Sequence, residues 1–302
     1  MSGKGRVLVT GATGCVGRHA LPKLVDRGWD VAALHSKTAA FDVKGVSWHQ
    51  ANLLDTADVH RVIAETSPTH LLHFAWYIAP GKWAAAPENV QWARASLDLI
   101  AAFEQRGGQR LVGSGSCLEY DWNFGFCSED RTPLTSRTLY GTCKNAVQSI
   151  LAGMSGQGKM SSAWGRIFFL YGPYEHPDRL VASVIRSILK GEPAKTSHGR
   201  QVRDYLFADD VADAFVRLLE SEVSGPVNIA SGQAIALKDI VTKIGTMMAR
   251  PDLIQLGAIP AAATDTPLVV ADTSRLASTL GWTPAWDLDR GLAATIDWWR
   301  SR

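Results

Sequence analysis

No stretch of the 302-residue chain stays apolar for the roughly 20 residues that a membrane-spanning helix needs. Its opening, MSGKGRVLVTGATG, runs into a glycine-rich turn rather than a signal-peptide cleavage site, so a cytoplasmic protein with no membrane partner is expected. Cysteine is scarce. Cys15, Cys117, Cys127 and Cys143 have neither zinc-ligand spacing nor the density of a disulfide scaffold, which predicts reduced thiols and no metal centre. An excess of one charge is lacking too: 31 Lys and Arg stand against 29 Asp and Glu, a net +2, with no basic run. That argues against a nucleic-acid partner and for a small molecule. Internal repeats and low-complexity linkers are absent as well, so any two lobes should share an interface without a flexible tether.

What is present is an alternation of short apolar runs and helical stretches. RVLVTGATGCVGRHALPKLVDRGWDVAALHS reads as strand, glycine turn, helix and second strand, with Val16, Ala20, Leu24 and Val25 at helical spacing. Pro22 falls inside that helix and should kink it or open a turn. THLLHFAW, QRLVGSGS and SSAWGRIFFLYG continue the series, separated by helices such as VQWARASLDLIAAF. The pattern predicts an α/β fold with a doubly wound parallel sheet covered on both faces. After Gly172 the chain changes to mixed helices and loops, with one late strand at GPVNIA and a terminal helix in DRGLAATIDWWR, which suggests a smaller mixed α/β lobe.

Gly11, Gly14 and Gly17 of TGATGCVG fall between the first strand and the first helix. A diphosphate approached closely by backbone requires residues without Cβ, and the helix N-terminus adds oriented N–H groups, so a dinucleotide site is expected here. An NAD-selective site usually carries a carboxylate at the end of the second strand. This chain has His35, Ser36 and Lys37 instead, a hydroxyl and cations suited to a 2′-phosphate, so the expectation leans to NADP over NAD.

In LYGTCK, Tyr140 and Lys144 stand one helical turn apart. At about 100° per residue, a helix beginning near Thr138 gathers Cys143, Val147, Ile150, Leu151 and Met154 into one apolar arc, with Tyr140 and Lys144 within or beside it. A lysine turned inward must find a partner or lie in a cleft. A phenol titrates near 10, and a cation one turn away brings it within reach of acid–base work near neutrality.

At this point the chain resembles the extended short-chain dehydrogenase/reductase family, which includes nucleotide-sugar epimerases, dehydratases and ketoreductases. TGATGCVG, LLHFAW, SGSCLEY, LYGTCK, RIFFLYGP, RDYLFADDVADAF and DTSRLASTLGWTP follow in the family's order across essentially the whole sequence. The resemblance implies a Rossmann domain over 1–171, with 205–231 returning to it, and a substrate lobe from 172–204 and 232–302. It makes Tyr140 the catalytic acid/base and Lys144 its tuning cation and ribose ligand. Ser116, four residues before Tyr120, would orient the sugar oxygen, with Ser114 as competitor. Cofactor contacts are implied at Gly11, Thr13, Gly14, Cys15, Val16, Gly17, His35, Ser36, Lys37, Asn52, Leu53, Phe74, Ala75, Tyr140, Lys144 and Phe168.

On the substrate side the resemblance makes Arg203 a diphosphate ligand and puts His176 and Arg179 near the base. Trp76, with Ser116 and Cys117, is expected at the sugar, Trp76 and Tyr77 either walling it or packing beneath the sheet edge. Asp204 is a turn residue or backbone contact, and Asp209 and Asp210 are cap and first-turn charges. Three positions depart from family patterns. Cys117 and Leu118 replace the Asp and Glu of 4,6-dehydratases, and Glu119 should point away if a strand continues there. Phe169 replaces an asparagine that touches substrate diphosphate. Hydride exchange at C4 of a nucleotide-sugar, by epimerisation or 4-keto reduction, is therefore expected ahead of dehydration. A non-catalytic NADP-binding sensor and a reductase of a non-nucleotide ketone are the other readings. A homodimer through VQWARASLDLIAAFEQ and the helix of Tyr140 is also implied.

Overall fold

The computed structural model describes residues 4–37, 41–79, 81–158, 160–261 and 265–302. The chain begins with β1 (Arg6–Thr10), α1 (Cys15–Asp26), β2 (Asp30–His35), β3 (Val46–Gln50), α2 (Thr56–Thr66), β4 (His70–His73), α3 (Glu88–Gln105) and β5 (Arg110–Ser116). A short β6 (Phe126–Cys127) precedes α4 (Leu139–Gln157), β7 (Ser161–Ile167) and β8 (Phe169–Tyr171). Then come α5 (Leu180–Leu189), β9 (Ala194–Lys195), β10 (Val202–Phe207), α6 (Ala208–Leu219) and β11 (Gly225–Ile229). The chain finishes with β12 (Ala234–Ala236), α7 (Leu237–Met247), β13 (Ile254–Gln255), β14 (Leu268–Ala271), α8 (Ser274–Leu280) and α9 (Leu288–Arg300).

Seven strands form one parallel sheet in the order β11-β7-β5-β4-β1-β2-β3. The near-continuous apolar strands explain why both faces are covered. Leu21 and Leu24 of α1 and Phe215 and Leu218 of α6 pack on one face; Val62, Leu99, Phe103 and Val147 of α2, α3 and α4 pack on the other. Strand order reverses between β1 and β4, and ligands of such sheets bind outside the carboxyl ends of the strands at that switch.

A second sheet, β12-β10-β14-β6 with β8 on β10, is built from residues scattered along the chain. Phe126–Cys127 and Phe169–Tyr171 reach it from the part of the chain before Gly172, while α6 and β11 return to the large sheet. Among the described residues beyond Gly172 there are six strands where the sequence suggested one. Two to six residues long and interrupted by polar side chains, they carry little periodic signal.

Pro22 lies inside α1 without opening a turn: the helix runs on to Asp26, with the proline on its exposed side. Ile150 leaves the apolar arc of α4 and is 47% exposed. Asp209 and Asp210 do occupy the first turn of α6, but neither side chain caps it. Asp209 pairs with Lys23 of α1 at 2.9 Å, and Asp210 accepts from the amides of Ala285 and Trp286, tying the approach to α9 to this helix.

Candidate active site

Strand β5 ends at Ser116 because a capping box stops it there. Ser116 Oγ accepts from Leu118 N at 3.2 Å, Glu119 Oε1 accepts from Ser116 N at 2.8 Å, and Cys117–Glu119 form a 3₁₀ turn. Glu119 therefore turns inward instead of away. It is fully buried, pairs with Arg166 Nε at 2.6 Å and accepts from Trp164 Nε1 at 3.0 Å. The turn that presents Ser116 is thus bolted to β7.

Helix α4 brings Tyr140 and Lys144 to that turn. Thr138 Oγ1 caps the helix by accepting from Gly141 N at 3.1 Å, and Tyr140 N donates to Ala84 O. Gly141 is required by packing: a Cβ there would stand 2.2 Å from both Leu118 O and Ser136 Oγ. Tyr140 is buried, with the edges of Trp83 and Trp76 against it at centroid distances of 4.9 and 6.1 Å. Burial, then the charge of Glu119, pushes its phenol up, while the Ser116 hydroxyl and the more distant Arg179 favour the phenolate.

Lys144, 1% exposed, donates to the carbonyl of Ser114 at 2.7 Å. Its ammonium lies 3.9 Å from the centre of the Trp76 ring. Burial pulls it down to about 7, and the negative charge of Glu119 opposes that. Ser114 contributes only its backbone oxygen here, whereas the Ser116 hydroxyl is placed to act on Tyr140.

The glycine turn opens beside this cluster. Gly11 has φ 64°, and a Cβ on it would come 2.7 Å from Ala75 N; one on Gly17 would come 2.3 Å from Gly11 O. Gly14 caps α1 with no side chain, so the amides of Cys15, Val16 and Gly17 remain available to an anion. The turn fits a dinucleotide diphosphate. Thr13 O accepts from Arg18 Nε, and Thr10 Oγ1 accepts from Ala75 N at 3.2 Å, fixing the loop that carries Phe74 and Ala75. Phe74 itself packs edge-on against Phe215.

The remaining residues are more dispersed. His35, Ser36 and Lys37 lie at the end of β2, three strands from β5; Ser36 and Lys37 are exposed, and His35 Nδ1 is buried without a partner among the described residues. Asn52 is exposed, its Oδ1 accepting from Leu54 N, and Leu53 is buried. Phe168 packs in a cluster with Tyr120 and Cys117. Trp76 lies over Lys144 with its Nε1 bonded to Asn89 Oδ1, and Tyr77 packs into the same core. His176 and Arg179 are exposed before α5, Arg179 lying 5.8 Å from the Trp83 ring.

Arg203 is nearly buried and already paired: it donates to Asp265 and to Val202 O, with its guanidinium 5.4 Å over Phe169. Asp204 is a buried latch, accepting from Ser231, Gly232 and Ala271. Glu119, Arg166 and Gly141 escape a reading centred on reactive groups. Glu119 was findable, since Ser116 and Glu119 stand at capping-box spacing.

The chain as a whole has clear counterparts among known proteins. A UDP-glucose 4-epimerase of Rhizobium leguminosarum bv. trifolii is 25% identical, covering 97% of this chain and 96% of that protein. A dTDP-glucose 4,6-dehydratase of Xanthomonas campestris pv. campestris is 26% identical over 97% of this chain and 92% of its own. The structure of a Thermus thermophilus UDP-glucose 4-epimerase in complex with NAD superposes with a TM-score of 0.84 at 25% identity, covering 98% of this chain and 99% of that one. Residues 7–230 match the model of the NAD dependent epimerase/dehydratase family, and the chain belongs to it.

Proposed function

We propose that the protein is an NAD(P)-dependent oxidoreductase of nucleotide-activated sugars, acting at C4 by epimerisation or by reduction of a 4-keto group. The observation that carries this is the convergence of Ser116, Tyr140 and Lys144 beside a glycine turn with unsatisfied amides. A nicotinamide dinucleotide held there would supply hydride exchange at the sugar carbon. The chain's own residues handle the proton. Tyr140, kept protonated by burial, donates from its phenol oxygen to a developing alkoxide and recovers the proton in the reverse direction. Ser116 shares the hydrogen bond that orients the sugar oxygen, and the Lys144 ammonium stabilises the phenolate while Ser114 O fixes its position. Trp76 and Trp83 exclude water from the phenol.

Dehydration fits less well. Leu118 cannot abstract a proton, and burial pushes the Cys117 thiol so far up that it is a weak acid. The absence of a carboxylate at the end of β2, with Lys37 exposed there, favours NADP over NAD. The lobe formed by 172–204 and 232–302 would hold the nucleotide-sugar, with His176 and Arg179 at its base. A substrate diphosphate would have to compete with Asp265 for Arg203. Val90 of α3 and Ile150 of α4, both exposed, support a homodimer through these helices. Among the described residues no helix is long and apolar enough to cross a membrane, in keeping with a cytoplasmic enzyme.

Native mass spectrometry of the protein as purified, followed by a panel of UDP-, CDP-, GDP- and dTDP-sugars and their 4-keto derivatives, tests the reading. Retained cofactor with C4 inversion identifies an epimerase. An empty protein that consumes NADPH on a 4-keto sugar identifies a reductase. Dinucleotide binding with no turnover on any of them overturns the enzyme reading in favour of a sensor.

A further inference from the structure

Glu175 is a buried acid for which the proton chemistry above has no use. It lies between β8 and α5, 6% exposed, and its Oε2 has no hydrogen-bond partner among the described residues. A buried carboxyl oxygen without a partner is costly, and such groups call for a ligand to explain them.

The backbone is set to turn this side chain inward. Tyr174, immediately before it, takes a left-handed φ of 67°, a conformation that an aromatic residue rarely adopts. Its ring is clamped by the guanidinium of Arg18 at 4.9 Å, that of Arg302 at 5.5 Å, and the edges of Trp298 at 5.1 Å and His19 at 5.8 Å. Strain of this kind persists only where surrounding contacts over-determine it, and it clusters at ligand sites. The same loop is moored to α1, since Pro173 O meets Cys15 Sγ at 3.5 Å and His19 Nε2 at 3.4 Å. Glu175 is thereby held next to the helix start that the glycine turn opens.

We propose that Glu175, in its protonated form, donates a hydrogen bond to an acceptor oxygen of the dinucleotide bound at the first turn of α1, and so couples cofactor binding to a proton. This rests on the cofactor reading given above. The titratable and charged groups facing Glu175 are Cys15 of α1, Arg179 at the start of α5 and Tyr205 of β10. Burial raises its carboxyl to about 8, against the pull of Arg179 and the amides of Gly172 and Ala182, so the donor form prevails at neutral pH. A carboxylate there would face a diphosphate and repel it.

NADH and NADPH binding, followed by fluorescence from pH 7 to 9 for the wild type, Glu175→Gln and Glu175→Ala, with UDP binding as control, tests this. Wild-type affinity should fall about tenfold by pH 9 as the protonated fraction declines. Glu175→Gln keeps a donor but cannot ionise, so it should bind like wild type at pH 7 and lose most of the pH dependence. Glu175→Ala should bind about tenfold more weakly at pH 7. The inference is overturned by an unchanged Glu175→Ala affinity, by a Glu175→Gln profile that follows the wild type, or by an effect confined to UDP. A wild type that binds neither dinucleotide would sink the cofactor reading itself, and this inference with it.

Discussion

The ammonium of Lys144 lies over the face of Trp76, 3.9 Å from the ring centre, and among the described residues no carboxylate pairs with it. The indole quadrupole supports a charge that burial otherwise suppresses, and Lys144 stands at about 7. Replacing Trp76 by Leu removes that support and should move the alkaline limb of the kcat/KM profile to lower pH. Trp76→Phe keeps a ring face and should shift it less. Equal shifts in the two variants would show that the indole acts by packing alone.

Ser114 and Ser116 lie two residues apart on β5, and it is the Ser116 hydroxyl that favours the Tyr140 phenolate. Lys144 takes the backbone oxygen of Ser114, which Ser114→Ala retains. That variant should keep most of its rate, whereas Ser116→Ala should lose about 10²-fold or more in kcat, in line with removal of one hydrogen bond made to the reacting oxygen. Steady-state kinetics of both variants on the same substrate decides the assignment, and the reverse ranking would reassign the role.

The parallel sheet and the glycine turn were legible because a buried strand is a continuous apolar run and a close backbone approach demands glycine. Tyr140 and Lys144 were legible from one helical turn. Legibility failed where long-range packing decides: Glu119 follows a strand in sequence, but its direction depends on Arg166 and Trp164, 47 and 45 residues away. Arg203 reads as a free cation until Asp265, 62 residues on, is brought beside it. Gly141 is an unremarkable helix residue until Leu118 O fills the space of its Cβ.

The Glu119–Arg166 pair is almost completely buried, with side-chain exposures of 0% and 1%. Removing one partner leaves the other charged and unpaired in the core, so Glu119→Ala should cost about 3–5 kcal/mol of stability. Glu119→Gln keeps the oxygen that accepts from Ser116 N and should cost less. Urea unfolding measures both, and a loss below 1 kcal/mol for the alanine variant would contradict the bolting of this turn to β7.

His73 predicts how the fold responds to acid. Its ring spans Thr10 Oγ1 at 2.7 Å and Ser96 Oγ at 2.9 Å, linking β4 to β1 and α3. Burial, aided by the Lys144 charge, lowers it from 6.5 to about 3. Between those values the unfolded chain binds a proton that the folded protein refuses, so stability is complete above pH 6.5 and declines as pH falls towards 3. Thermal melts from pH 7 to 4 should therefore show a falling midpoint. His73→Gln, which cannot ionise, should be less stable at neutral pH yet lose less on acidification, and a parallel decline in both proteins would place the acid sensitivity elsewhere.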